Sequence, residues 1–232
     1  MGVSDAPQWL LPSFVRSVTA AGATATLESA ENVGVALLDR WHDPTRVFHT
    51  IQHLVDVLAR VDQLAEETHQ PDLVRLAAWY HSSAYRPGVT PTHNITEIES
   101  ARIALAELRT LHLPEPSARR VHDLIVALSR HLPPAGDLDA AVLSDADLAV
   151  LATDPQTYQD YAVRIRAEHA HLSAPQFRAG RIGFISAMLA RPVIFHSAQG
   201  AVWENAARQN MEAELVRLRK AAANGSEPPH DT

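Results

Sequence analysis

Apolar residues along this chain recur mostly three and four positions apart, and few stretches alternate as a half-buried strand would. That spacing predicts helices over 10–21, 26–41, 49–67, 71–83, 95–111, 116–131, 144–152, 155–171, 175–190 and 198–220. The residues between them fit. Pro12 falls in an opening turn, where a missing N–H costs nothing. Pro44 keeps Asp43 out of the helical region. Pro87 and Gly88 open a loop that runs to Asn94, and Leu132-Pro133-Pro134-Ala135-Gly136 breaks the chain before the seventh helix. Glu97 and Glu99 lie near the start of the fifth helix, where the dipole favours acids. The expected fold is all-α, one domain of about ten helices over 10–220, with an N-terminal segment 1–9. A tail over 221–232, with its Asn-Gly-Ser and Pro-Pro, is expected to be disordered.

Composition narrows the chemistry. The chain has 232 residues, 46% hydrophobic and 20% charged, which suits a packed core. With no cysteine, disulfides, thiol nucleophiles, cysteine zinc sites and iron–sulfur clusters are excluded. Lys220 is the one lysine, so there is no Gly-Lys phosphate loop, and Schiff-base chemistry would need a lysine beside a tail of small and polar residues. Neither the dinucleotide G-x-G-x-x-G nor the nucleophile-elbow G-x-S-x-G occurs. A net charge of −7 without a basic stripe argues against a nucleic-acid partner. No apolar run approaches the ~18 residues of a membrane helix, and Met1 to Gln8 lack the features of a signal peptide. The expected setting is therefore cytoplasmic, away from membranes. Against this plain background, thirteen histidines point to metal ligation or acid–base work.

Three constellations carry that signal. In Phe48-His49-Thr50-Ile51-Gln52-His53-Leu54-Val55-Asp56, at about 100° per residue, His49, His53, Asp56 and Arg60 share a wedge of roughly 60°. Such a wedge is either a polar face turned to water or a pair of imidazoles one turn apart, able to share a metal. His81 ends the strongly apolar Ala77-Ala78-Trp79-Tyr80. It reads either as a core histidine with a hydrogen-bond partner or as a buried ligand. Ser144-Asp145-Ala146-Asp147-Leu148 places two carboxylates at the start of a short predicted helix, either as caps or as a ligand source.

The order of these pieces resembles the HD-domain metal phosphohydrolase superfamily, in particular a bacterial branch of HD phosphohydrolases. That branch carries the segments R-x-Y-H-N-x-x-H, A-x-W-F-H-D-x-x-Y, N-E-x-x-S-A and D-A-D-L, and late G-R and E-x-x-A-R-x-N segments. Here they read Arg46-Val47-Phe48-His49-Thr50-Ile51-Gln52-His53, then 77–85, Thr96-Glu97-Ile98-Glu99-Ser100-Ala101, Asp145-Ala146-Asp147-Leu148, Gly180-Arg181 and Glu204 to Asn210. The likeness spans roughly 10–218, and its first segment also looks like that of the cyclic-nucleotide phosphodiesterases.

The resemblance implies an HD-type helical bundle that hydrolyses a small phosphoester, nucleotide-like ones included, with one divalent ion (Mn, Mg, Zn or Fe). It implies His53, His81 and Asp145 as metal ligands and His49 as the acid that protonates the leaving oxygen. Glu97 and His131 would line the pocket. One position departs from the family: Ser82 stands where the Asp of the His-Asp pair belongs, and a neutral hydroxyl is a poor ligand for a hard cation. His-Asp pairs elsewhere, at His42, His122 and His230, do not follow the aromatic helix end; His122-Asp123, on the helix of His131, is the nearest substitute. Two imidazoles and one carboxylate match a mononuclear site with open positions. Three functional classes therefore remain: a one-metal hydrolase, a degenerate member that binds a ligand or partner, and a mononuclear iron oxygenase.

Overall fold

A computed structural model describes residues 6–88 and 93–223. Its ten α-helices are α1 (Leu10–Ala20), α2 (Leu27–Trp41), α3 (Ile51–Gln63), α4 (Pro71–Tyr80), α5 (His93–Thr110), α6 (Glu115–Leu128), α7 (Leu138–Leu148), α8 (Pro155–Glu168), α9 (Ala174–Leu189) and α10 (Glu204–Ala223). Short 3₁₀ segments lie at Ala65–Glu67, Ala149–Ala152 and Gly200–Trp203, and there is no strand among the described residues. The fold is all-helical, as the periodicity predicts.

The differences lie at helix ends, and two of them move candidate site residues. The third helix begins at Ile51, because Thr50 is extended (φ −102°, ψ −178°), so His49 lies in the turn before the helix and not on it. The seventh begins at Leu138, six residues earlier than its pattern predicts. Asp137 accepts the Ala140 N–H at 3.0 Å and starts the helix directly after the Pro-Pro-Ala-Gly break. Asp145 and Asp147 therefore close a helix instead of opening one. At the C-terminus, α10 extends to Ala223, three residues into the expected tail; 224–232 lie outside the described residues.

Helix α4 is the axis of the N-terminal part. From Leu73 to Tyr80 only Arg75 is not fully buried, as expected of a helix apolar nearly all round. It packs on α1, α3, α5, α6 and α7. Phe14 meets Trp79 edge-on, with centroids 5.2 Å apart, and Trp41 Nε1–H donates to the Trp79 carbonyl at 3.0 Å. A second cluster joins α8, α9 and α10 around Tyr158, Ile185, Met188 and Met211. Inside it Arg181 makes a two-pronged pair with Glu214 (2.8 and 3.0 Å), and Tyr158 Oη donates to the same carboxylate at 2.6 Å. A pair buried this deeply is tolerated because every charge is hydrogen-bonded. A cavity of about 820 Å³ has walls from both clusters.

Candidate metal centre and its cavity

Three elements meet on one wall of this cavity. His53 comes from the middle of α3, His81 from the residue that ends α4, and Asp147 from the last turn of α7. His53 Nε2 lies 3.2 Å from His81 Nε2 and 3.1 Å from Asp147 Oδ1, and His81 Nε2 lies 3.4 Å from the same oxygen. A metal with bonds of about 2.0–2.2 Å holds adjacent donors roughly 3.0–3.5 Å apart, so the triangle fits one divalent ion. The donor chemistry fits too, two imidazole nitrogens and one carboxylate oxygen. His81 Nδ1 sits 2.7 Å from the Ala78 carbonyl. In the neutral ring, donating there leaves the Nε2 lone pair facing the triangle, the usual second bond of a ligating histidine. Trp41 and Phe48 enclose the pair, with centroids 5.3 Å from His81 and 4.8 Å from His53. His53 is thus buried in the interior and separated from Asp56, which is exposed and bonded to Gln52. The wedge of four polar residues is not a single solvent face.

The carboxylate of this cluster is Asp147, and the expected ligand Asp145 is elsewhere. Asp145 is fully buried and accepts the backbone N–H of His196 at 2.9 Å and of Ser197 at 2.7 Å. Residues two apart on a helix point about 200° away from each other, so only one carboxylate of the Asp-Ala-Asp run can face the imidazoles. Asp145 faces the 196–200 loop so closely that a Cβ at Gly200 would collide with its Oδ2. The two carboxyls respond oppositely. Burial pushes Asp145 up, only partly offset by its N–H donors. Burial also opposes ionisation of Asp147, but His81 and His53 across from it hold it well below the usual carboxylate range. His81 is raised by the same contact, against its own burial.

His49 reaches the cavity from the turn before α3. Its ring centroid is 5.3 Å from that of His53. Its Nδ1 is 2.6 Å from Glu168 Oε2, at the end of α8. The other oxygen, Oε1, accepts the backbone N–H groups of Val47, Phe48 and His49 at 2.9–3.1 Å. Burial raises the Glu168 carboxyl, but the bonds from His49 and the backbone outweigh it and hold it at about 2. Burial depresses His49 to about 4, with Glu168 opposing. Arg46 fixes the same turn from behind, donating to the carbonyls of Ser82 (2.9 Å), Tyr85 (2.8 Å) and His49 (3.2 Å).

Ser82, Glu97 and His131 all border the cavity. Ser82 is buried directly after His81. Glu97 Oε2 is buried without a hydrogen-bond partner, and burial raises its carboxyl to about 7. His131 follows α6 with a left-handed backbone (φ 44°), and its Nε2 lies 3.6 Å from Asp147 Oδ2. Arg191 donates to the carbonyls of His131 (2.8 Å) and Arg130 (2.9 Å), which fixes this costly conformation. His122-Asp123 is a surface pair on α6 and does not line the cavity. Sequence reasoning missed Glu168, a lone acid with no motif around it, and chose the wrong Asp of a pair that looks equivalent in one dimension. Knowing that α7 begins at Leu138 would not by itself have settled which of them faces inward.

Compared with protein-family models, with curated proteins and with solved structures, the chain matches none.

Proposed function

We propose that this chain is a metal-dependent phosphohydrolase of the HD type, acting on a small phosphoester. The observation that carries the proposal is the convergence of His53, His81 and Asp147 from three helices, next to the His49–Glu168 pair. A divalent ion held by the three would supply Lewis acidity toward a phosphoryl oxygen and acidify water. The remaining work falls to the chain's own groups. With His49 Nδ1–H given to Glu168, Nε2 is the nitrogen left to take up a proton and pass it to the leaving oxygen. Glu168 fixes the tautomer and steadies the ring while it is cationic. Trp41 and Phe48 pack against the two imidazole rings and hold their orientation.

A second reading, ligand binding without hydrolysis, draws on Ser82, where a neutral hydroxyl replaces a carboxylate. Elemental analysis of protein purified without chelator, paired with turnover of a chromogenic phosphoester, separates the readings. The hydrolase reading expects about one metal per chain and metal-dependent turnover. His49→Ala should keep the metal and lose about 10²–10⁴-fold in turnover. Metal without turnover favours the binding protein, redox-active iron favours an oxygenase, and metal loss in His49→Ala makes that residue a ligand.

A further inference from the structure

The cavity is far larger than a phosphoryl group needs, and its lining is mixed in chemistry. Beside the triad, the lining includes His131, Arg130 and Arg191. Neither arginine has a carboxylate within ion-pair distance among the described residues, whereas Arg181, also on the cavity, is paired with Glu214. Arg191 contacts the carbonyls of residues 130 and 131, and His131 faces Asp147, so this charge lies one residue away from the triad. An anionic head fits there.

From α8 and α9, Tyr161, Ile165, Phe177, Phe184 and Met188 border the same space. Tyr161 carries the one polar side-chain atom of these five, and it is taken, since Arg181 donates to its Oη at 3.0 Å. A nucleobase edge or a row of sugar hydroxyls set against these five side chains would lose its bonds to water without replacement from them, at a cost of kilocalories per group. An apolar body loses nothing there and gains by leaving water. The total, about 820 Å³, is in the range of sites that enclose a ligand of drug size.

We propose that the substrate is an amphiphilic phosphomonoester, its phosphate toward the triad, Arg130 and Arg191 and its alkyl or aryl body against Tyr161, Ile165, Phe177, Phe184 and Met188. The proposal rests on the phosphohydrolase reading for the reaction but names the ligand independently of it. It excludes a nucleoside 5′-phosphate as the preferred occupant.

The test is binding of non-hydrolysable methyl-, butyl- and octylphosphonate and of AMP to Mn²⁺-loaded full-length protein by titration calorimetry. Turnover of the matching alkyl phosphates is measured in parallel. A buried methylene contributes up to about fourfold in affinity. After losses from chain ordering, octylphosphonate should bind at least about 100-fold more tightly than methylphosphonate. It should also bind more tightly than AMP. Phe184→Ala and Phe177→Ala, both half-buried positions, should reduce the octyl advantage about tenfold and leave methylphosphonate binding unchanged. Equal binding along the series, or tighter AMP, overturns the proposal even if hydrolysis is seen. A steep chain-length dependence without turnover upholds the ligand class and rejects the hydrolase.

Discussion

Asp145 and Asp147 lie two residues apart at the end of α7 and serve different regions of the molecule. Asp145 faces the 196–200 loop, where it accepts the backbone N–H groups of His196 and Ser197. Asp147 faces the cavity, where its partners are imidazoles, groups that can exchange a proton for a metal. The first is a structural anchor and the second a member of the candidate metal cluster, although both are acids in the same tetrapeptide. Glu168 combines the two roles, one oxygen on three backbone N–H groups and the other on His49. Partner chemistry, not residue type, separates the two acids.

The largest expected effect tests the ligand side. Asp147→Asn should weaken metal binding by more than the 10–100-fold that outer-sphere partners typically contribute and abolish metal-dependent turnover. Metal stoichiometry after gel filtration measures this; full metal retention would return the ligand role to another residue. Glu168→Gln should lower turnover by about 10²-fold with the metal retained. It also has a pH signature. A carboxyl held at about 2 stabilises the fold fully above its unfolded value near 4.5 and loses that contribution as the pH falls toward 2. The wild-type advantage in urea unfolding should thus be on the order of 2 kcal/mol at pH 7 and shrink below pH 4.

The anchor side predicts the reverse pattern. Asp145→Asn places a neutral amide against the N–H groups of residues 196 and 197, and should cost about 2 kcal/mol of stability while leaving metal content unchanged. Metal loss in that variant at full stability would invert the comparison. The smallest effect concerns Glu97, an acid with neither kind of partner on Oε2. Its carboxyl is raised to about 7, so wild-type protein loses stability as the pH climbs from 4.5 toward 7. Glu97→Gln should therefore gain on the order of 1 kcal/mol over wild type at pH 8 in metal-free protein, and nothing at pH 4. An identical pH profile for the two proteins would mean that Glu97 titrates as an ordinary surface acid.

Several residues of the family-like segments proved to be framework. Asn210 bonds the carbonyls of Leu151 and Thr153, which end the 3₁₀ turn beyond α7. Glu204 accepts the N–H groups of Ile194 and Phe195, and Arg208 holds the carbonyls of Leu189 and Arg191. Ser100 accepts the N–H of Ala84. Such segments mark the site's neighbourhood without telling a group that touches a ligand from one that holds the loop carrying it. Both need an uncommon residue at a set position.

The sequence alone determined the all-helical class, the number of helices and two of the three clustered donors. Hydrophobic periodicity, proline placement and a histidine after an apolar run are local signals, readable within one or two helical turns. Tertiary structure decided the rest. Which carboxylate joins His53 and His81 depends on the rotation of α7 against α3 and α4, on which it packs, and on the loop over Asp145. Glu168 meets His49 across 119 positions of chain because α8 folds back onto the turn before α3. No local pattern encodes that meeting, since the free energy that brings the two together comes from apolar burial spread over both clusters.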